Sequence, residues 1–211
     1  MWAIIQAAGW PIWFLILASV IALPIIVERF WSLRRSNIIP NGLVNQVLAE
    51  YRQKGISTQL LMQTAQRGPL GQIIAAGLAN ARAPRVVMKE AIEEVGRVVT
   101  HRLDRFLTTL GTIAAMAPLM GLFGTVVGMI EIFGSTTATG TNPAQLAHGI
   151  SVALYNTAFG LMIAIPCMIF YRHFRALVES YIVEMEREAI RLVDAIHAST
   201  PPPVKKAGTT S

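Results

Sequence analysis

The sequence predicts an all-α integral membrane protein, with three transmembrane helices and two long helices extending into the cytoplasm. Three observations carry this. Charged residues make up 14% of the 211 residues, against roughly 25% in soluble domains, while apolar residues reach 53%. The apolar residues lie in long charge-free blocks. The 18 Lys and Arg are segregated from those blocks. A disordered chain is excluded, since disorder needs low hydrophobicity and high charge. A disulfide scaffold is excluded by the single cysteine, Cys167.

Residues 1–9 form a short outer N-terminus. Residues 10–28 are the first span, because Trp10 to Val27 is an apolar run long enough to cross roughly 30 Å of hydrocarbon. Nothing basic precedes the run, and Glu28, Arg29, Arg34 and Arg35 follow it. That order predicts an uncleaved anchor rather than a signal peptide. Phe106–Ile130 and Ile132–Tyr171 are also free of Asp, Glu, Lys and Arg. The polar stretch Gly134 to Pro143 divides them. The second span is therefore 108–133, the loop 134–146 and the third span 147–171. Twelve of the 18 basic residues lie between Arg29 and Arg105, and six between Arg172 and Lys206. The positive-inside rule then places 29–107 and 172–199 in the cytoplasm and the loop outside. Residues 200–211 are a solvated tail.

Within 29–107, Pro40-Asn41-Gly42 is a turn with Asn41 as expected N-cap. Leu43, Val44, Val47, Leu48 and Tyr51 follow at helical spacing up to Gly55. A short helix is expected from Ser57 to Gln66. Gly68-Pro69 opens another, bearing Ile73, Ile74, Gly77 and Leu78 on one face and stopped by Ala83-Pro84. From Val86 a 3.6-residue period runs through Val87, Ala91, Val95, Val98, Val99, Leu103 and Leu110. It predicts one helix over 86–133, roughly 70 Å long. A second stripe, Phe174, Leu177, Val178, Tyr181, Ile182, Met185, Ala189, Leu192, Val193 and Ile196, continues the third span. Such a stripe needs an apolar partner: the chain's own helices or, the favoured expectation, neighbouring copies.

No catalytic constellation is present, so no enzyme, cofactor or metal is expected. His101, His148, His173 and His197 are scattered, without metal-ligand spacing. The basic residues are dispersed and follow the topology, so nucleic acid is not an expected partner. Small residues are more informative. Gly121 and Thr125, Gly124 and Gly128, Gly149, Ala153 and Thr157, and Gly160 and Ala164 are spaced by four. Such stripes let helices approach closely in lipid. They predict either packing between spans two and three or the lining of a cavity for another helix. Pro118 and Pro166 are expected to kink their helices. Thr112, Thr125, Ser151, Asn156 and Thr157 form a neutral polar set able to support a proton path. Glu131, near the outer end of its span, is a candidate for ion access or partner contact, or a solvated helix end.

The segment from Ala117 to Ile130, A-P-L-M-G-L-F-G-T-V-V-G-M-I, resembles the A-P-x-x-G-L-F-G-T-V-x-G-x-I signature of the MotA/TolQ/ExbB proton-channel family. Gly149 to Leu154 and Asn156 to Pro166 resemble its third-helix signature. The three-span topology is most similar to the ExbB and TolQ types. The resemblance implies a bacterial inner-membrane protein and a homopentamer around an ExbD- or TolR-like single-span partner. That partner supplies a transmembrane Asp, and proton flow drives a TonB- or TolA-like protein. It also implies that Thr157 faces the partner and that Pro118, Gly121, Gly124, Thr125 and Gly128 belong to the second-helix motif. Where many members carry Glu in G-I-x-E-A-L, this sequence has Val152, and a position often Thr is Met116. No carboxylate then lies at mid-membrane, and the partner must bring one.

Overall fold

The computed structural model describes residues 9–134 and 143–198. Among the described residues the chain is entirely helical. The elements are α1 (Ile12–Ser32), α2 (Arg35–Ile38), α3 (Leu43–Lys54), α4 (Thr58–Ala65), α5 (Pro69–Ala79), α6 (Arg85–Leu103), α7 (Leu107–Gly134) and α8 (Pro143–Ala198). Three of the helices are long and apolar enough to cross a membrane. The chain is thus an all-α integral membrane protein. It divides into two compact units. Of the described residues, one comprises 9–32, 104–134 and 143–177, the other 33–103 and 178–198.

The first unit contains α1, α7 and α8 as far as Leu177. Its core is narrow. Leu15, Ala117 and Ala164, one from each helix, meet at 2%, 2% and 5% exposure, with Met120, Phe159 and Ile163 packed around them. The outer faces are apolar and uncovered: Leu17, Leu119 and Met162 are each more than half exposed. A lipid environment satisfies such faces, whereas water would penalise them. Pro24, Pro118 and Pro166 all lie inside unbroken helices. The helix that carries the third span begins at Pro143. Most of the loop, the tail and residues 1–8 lie outside the described residues.

The second unit packs α4 and α6 against α5, whose Leu70, Ile73, Ile74 and Leu78 are at most 4% exposed. Local signals set its turns. Gly42, rather than Asn41, caps α3, because that position has φ 71°, which glycine adopts without a Cβ penalty. Ser57 caps α4 by accepting from the Leu60 N–H at 3.1 Å. At Gly68, φ is 95° and a Cβ would strike the Asn37 carbonyl oxygen. Helix α5 ends at Ala79, with Asn80 as C-cap, before the expected stop at Pro84. The short α2 has no periodicity long enough to announce it.

Two expectations are corrected. The continuous helix over 86–133 is broken at 104–106. Phe106 has φ 64°, uncommon for a bulky residue and costing on the order of 1–3 kcal/mol. The guanidiniums of Arg105 and Arg29 lie 4.5 and 5.7 Å from its ring centroid and offset part of that cost. The stripe on α8 is also covered by the chain itself. Val178, Met185, Leu192 and Val193 are at most 2% exposed. Gly77 approaches Leu192 and Ile92 so closely that a Cβ there would lie 3.0 Å from each. Arg35 pairs with Glu184 at 2.6 Å and Arg85 with Asp194 at 2.5 Å. On α6 the expected positions Val99 and Leu103 are buried, as is Met88 outside the expected stripe, while Val87 and Val98 of that stripe are exposed.

Candidate functional site: the crossing of two spans

Helices α7 and α8 run antiparallel and touch backbone to backbone. A Cβ on Gly160 would lie 2.6 Å from the Ala117 carbonyl oxygen and 3.1 Å from Gly121 Cα. A Cβ on Gly121 would lie 2.8 Å from the Asn156 carbonyl oxygen and 3.1 Å from Thr157 Cα. Gly124 faces the Asn156 side chain, and a Cβ there would sit 2.8 Å from Asn156 Cβ. Gly128 faces Ala153 at 3.4 Å, and Gly149 faces the Ile132 side chain. The small-residue stripe is therefore used within the chain, to bring these two spans together. In lipid, where apolar side chains gain nothing by leaving their surroundings, close packing and interhelical hydrogen bonds hold such a contact.

Two polar side chains lie in this crossing. Asn156 is 1% exposed. The Thr157 hydroxyl donates to the Gly121 carbonyl oxygen at 3.3 Å, a contact that requires the missing side chain at Gly121. The other polar positions do not join them. Thr125 donates to the Leu122 carbonyl at 2.6 Å, Ser151 to the Ala147 carbonyl at 2.9 Å and Thr112 to the Thr108 carbonyl at 2.9 Å. Each thus commits its proton to its own helix and presents lone pairs outward. Ser151 and Thr112 are exposed and Thr125 is half-buried. Glu131 is exposed in the last turn of α7. Pro118 is half-buried and Pro166 exposed. The side chain of Val152 lies outside the described residues.

The stripe expected from Gly121 onward starts ten residues earlier, at Gly111. Gly111 packs against the Tyr171 ring, where a Cβ would be 2.9 Å away. Ala114 and Ala117 are each 2% exposed. The signal was present as small residues at 111, 114, 117, 121, 124 and 128. Arg29 was read only as a topology marker. It is 4% exposed and forms a two-point pair with Glu28, at 2.6 and 3.0 Å. Nothing in its local sequence distinguishes it from the exposed Arg34. Among the described residues, no three His, Cys, Asp or Glu side chains gather to hold a metal.

Known proteins are similar to this chain in sequence. Residues 65–187 match the MotA/TolQ/ExbB proton channel family, a segment that includes all of α7 and most of α8. The chain is 34% identical over 166 residues to ExbB-like 3 of Synechocystis sp., covering 75% of this chain and 77% of that one. It is 30% identical over 169 residues to the biopolymer transport protein exbB1 of Vibrio cholerae, covering 77% and 74%. It is 35% identical over 171 residues to the Tol-Pal system protein TolQ of Pseudomonas aeruginosa, covering 76% and 68%. With these spans, this glycine crossing and this match, the chain belongs to the MotA/TolQ/ExbB proton channel family.

Proposed function

We propose that the chain is an ExbB-like inner-membrane subunit of a motor driven by the proton-motive force. With an ExbD-like single-span partner it energises a TonB-like protein for import across the outer membrane. It performs no covalent chemistry of its own and binds no nucleic acid. In this reading several copies, five by family resemblance, surround the partner. The N-terminus is periplasmic and the C-terminus cytoplasmic, in keeping with the basic residues on either side of the spans.

The observation that carries the reading is the neutral crossing of α7 and α8. It joins two helices by backbone contact and buries an amide and a hydroxyl beside Gly121 and Gly124. Glu131, at the outer end, is the one ionisable group of 106–171 besides His148, the tyrosines and Cys167. A chain so built can hold a conducting partner but brings no carboxylate of its own to mid-membrane. The carrier is then a carboxyl on the partner, whose pKa rises when it is buried among neutral groups. The outward lone pairs of Thr125 and Ser151 accept a hydrogen bond from the protonated carboxyl.

Liposomes test this. The chain alone should pass no protons, and co-reconstitution with the partner should restore flux. Replacing the partner's transmembrane Asp with Asn should abolish flux and motor output. Proton leak through the chain alone would overturn the assignment. Val152 favours a second reading, a non-conducting scaffold, which full motor output with the Asn partner would support. The likeness to TolQ makes a Tol-type or gliding-type stator the same machine with another output. Swapping in TonB-like and TolA-like proteins distinguishes them.

A further inference from the structure

A second feature stands apart from the crossing, just beyond the end of α1. The last turn of α1 carries Phe30 and Trp31, 56% and 66% exposed. Aromatic rings of this kind settle at headgroup level. Three residues beyond Ser32, within about 10 Å even at full extension, Arg35 opens a cavity of about 560 Å3. Ser36, Ile39, Pro40 and Asn41 complete its lining. Arg35 donates from Nη2 to Glu184 Oε1 at 2.6 Å, yet its side chain remains 62% exposed. A guanidinium has five N–H donors, so most of its fork is uncommitted by that bond. The exposed Asn41 amide adds donors on the same wall, and the exposed Ser36 hydroxyl spends its proton on a long 3.4 Å bond to Asn37 Oδ1. Arg34, also exposed, precedes them. Glu184 offsets one of these two guanidiniums and leaves the other.

We propose that this cavity binds the phosphodiester of an anionic phospholipid headgroup. The Arg35 fork would grip two phosphate oxygens, with the Asn41 amide donating to the remaining ester or glycerol oxygens and the Ser36 hydroxyl exchanging its 3.4 Å bond to Asn37 for one to the lipid. Guanidinium geometry matches phosphate in this two-point way. The shared chemistry is a phosphate anion. The position three residues from a membrane span selects a lipid over a soluble phosphate. Arg35 is then divided between lipid and Glu184, so occupancy competes with the contact that Arg35 makes on α8.

Native mass spectrometry of the full chain, extracted from vesicles of phosphatidylcholine with and without phosphatidylglycerol, tests this. Phosphatidylglycerol should be retained in preference to phosphatidylcholine. Arg35→Gln should lower its retention at least about tenfold, the effect of losing a charged hydrogen bond. Glu184→Gln should raise it, by releasing the guanidinium. The double variant Ser36→Ala, Asn41→Ala keeps the ion pair and should also weaken retention, so the proposal stays testable if Arg35→Gln does not fold. Equal retention of the two lipids would overturn the proposal. So would equal responses of Arg35→Gln and Glu184→Gln, since Arg35 would then serve only the ion pair. Inorganic phosphate that displaces phosphatidylglycerol at equal concentration would reassign the cavity to a soluble anion. None of these readouts depends on proton flux or on a partner, so the proposal stands separately from the motor reading.

Discussion

The two units of this chain solve the packing problem in opposite ways. In the unit holding the spans, helices meet through what is missing: Gly111, Gly121, Gly124 and Gly160 let backbones and rings approach, and large apolar side chains such as Leu17, Leu119 and Met162 point outward. In the other unit the large side chains point inward. Leu70, Ile74, Leu78, Met88 and Leu192 are at most 1% exposed. The difference teaches what each solvent rewards. Water drives Leu into a core, whereas lipid does not, so a membrane contact is held by close approach and by hydrogen bonds such as that of Thr157.

Substitutions sharpen this contrast. Leu78→Ala, in the leucine-filled unit, should cost about 3–4 kcal/mol, through lost burial and a residual cavity. Denaturant unfolding of the detergent-solubilised chain measures it, and a cost below that of an ordinary surface change would break the comparison. In the span unit the opposite substitution does the damage. Gly160→Ala should cost about 2 kcal/mol, because its methyl meets backbone that cannot yield. Gly128→Ala should be tolerated, since its Cβ meets only an ordinary contact at 3.4 Å. Similar costs at 128 and 160 would mean that glycine content, rather than backbone approach, matters.

Thr157→Val keeps the shape and removes the hydroxyl. It should cost about 1 kcal/mol, one net hydrogen bond, read as a lower SDS concentration at the unfolding midpoint. The smallest effect concerns Tyr181, whose phenol donates to the Leu33 carbonyl at 3.0 Å. Burial pushes its pKa up, Glu184 adding to the rise and Arg35 opposing it. A folded pKa above the unfolded one stabilises the fold fully below about pH 10. That contribution declines as pH rises through the folded value. Tyr181→Phe should remove this alkaline component from the stability curve and leave the neutral region unaffected by titration.

Much of this was legible in the chain. The three spans, the short helix near Ser57, the helix opened by Pro69 and the stripe from Gly121 follow from local composition and spacing. The break at 104–106 was not legible. The apolar period runs through Leu103, Phe106, Leu107 and Leu110 without a glycine or proline, and the positive φ of Phe106 is supported by Arg29, nearly eighty positions away. The burial of Arg29 was hidden for the same reason. A buried arginine and an exposed one read alike until the residues around them are known.

The sequence by itself determined that the chain enters a membrane, that it does so as helices and which family motif it carries. These depend on residues adjacent in the chain, where solvent preference and helical period act directly. Only the tertiary structure decided which partner each face receives. It assigned the glycine stripe to the α7–α8 crossing and the long stripe of α8 to α5 and its neighbours. It also set the Thr157 hydroxyl on the Gly121 carbonyl. A periodic face specifies that something must cover it, but the covering surface lies elsewhere in the chain, and three-dimensional fit selects it.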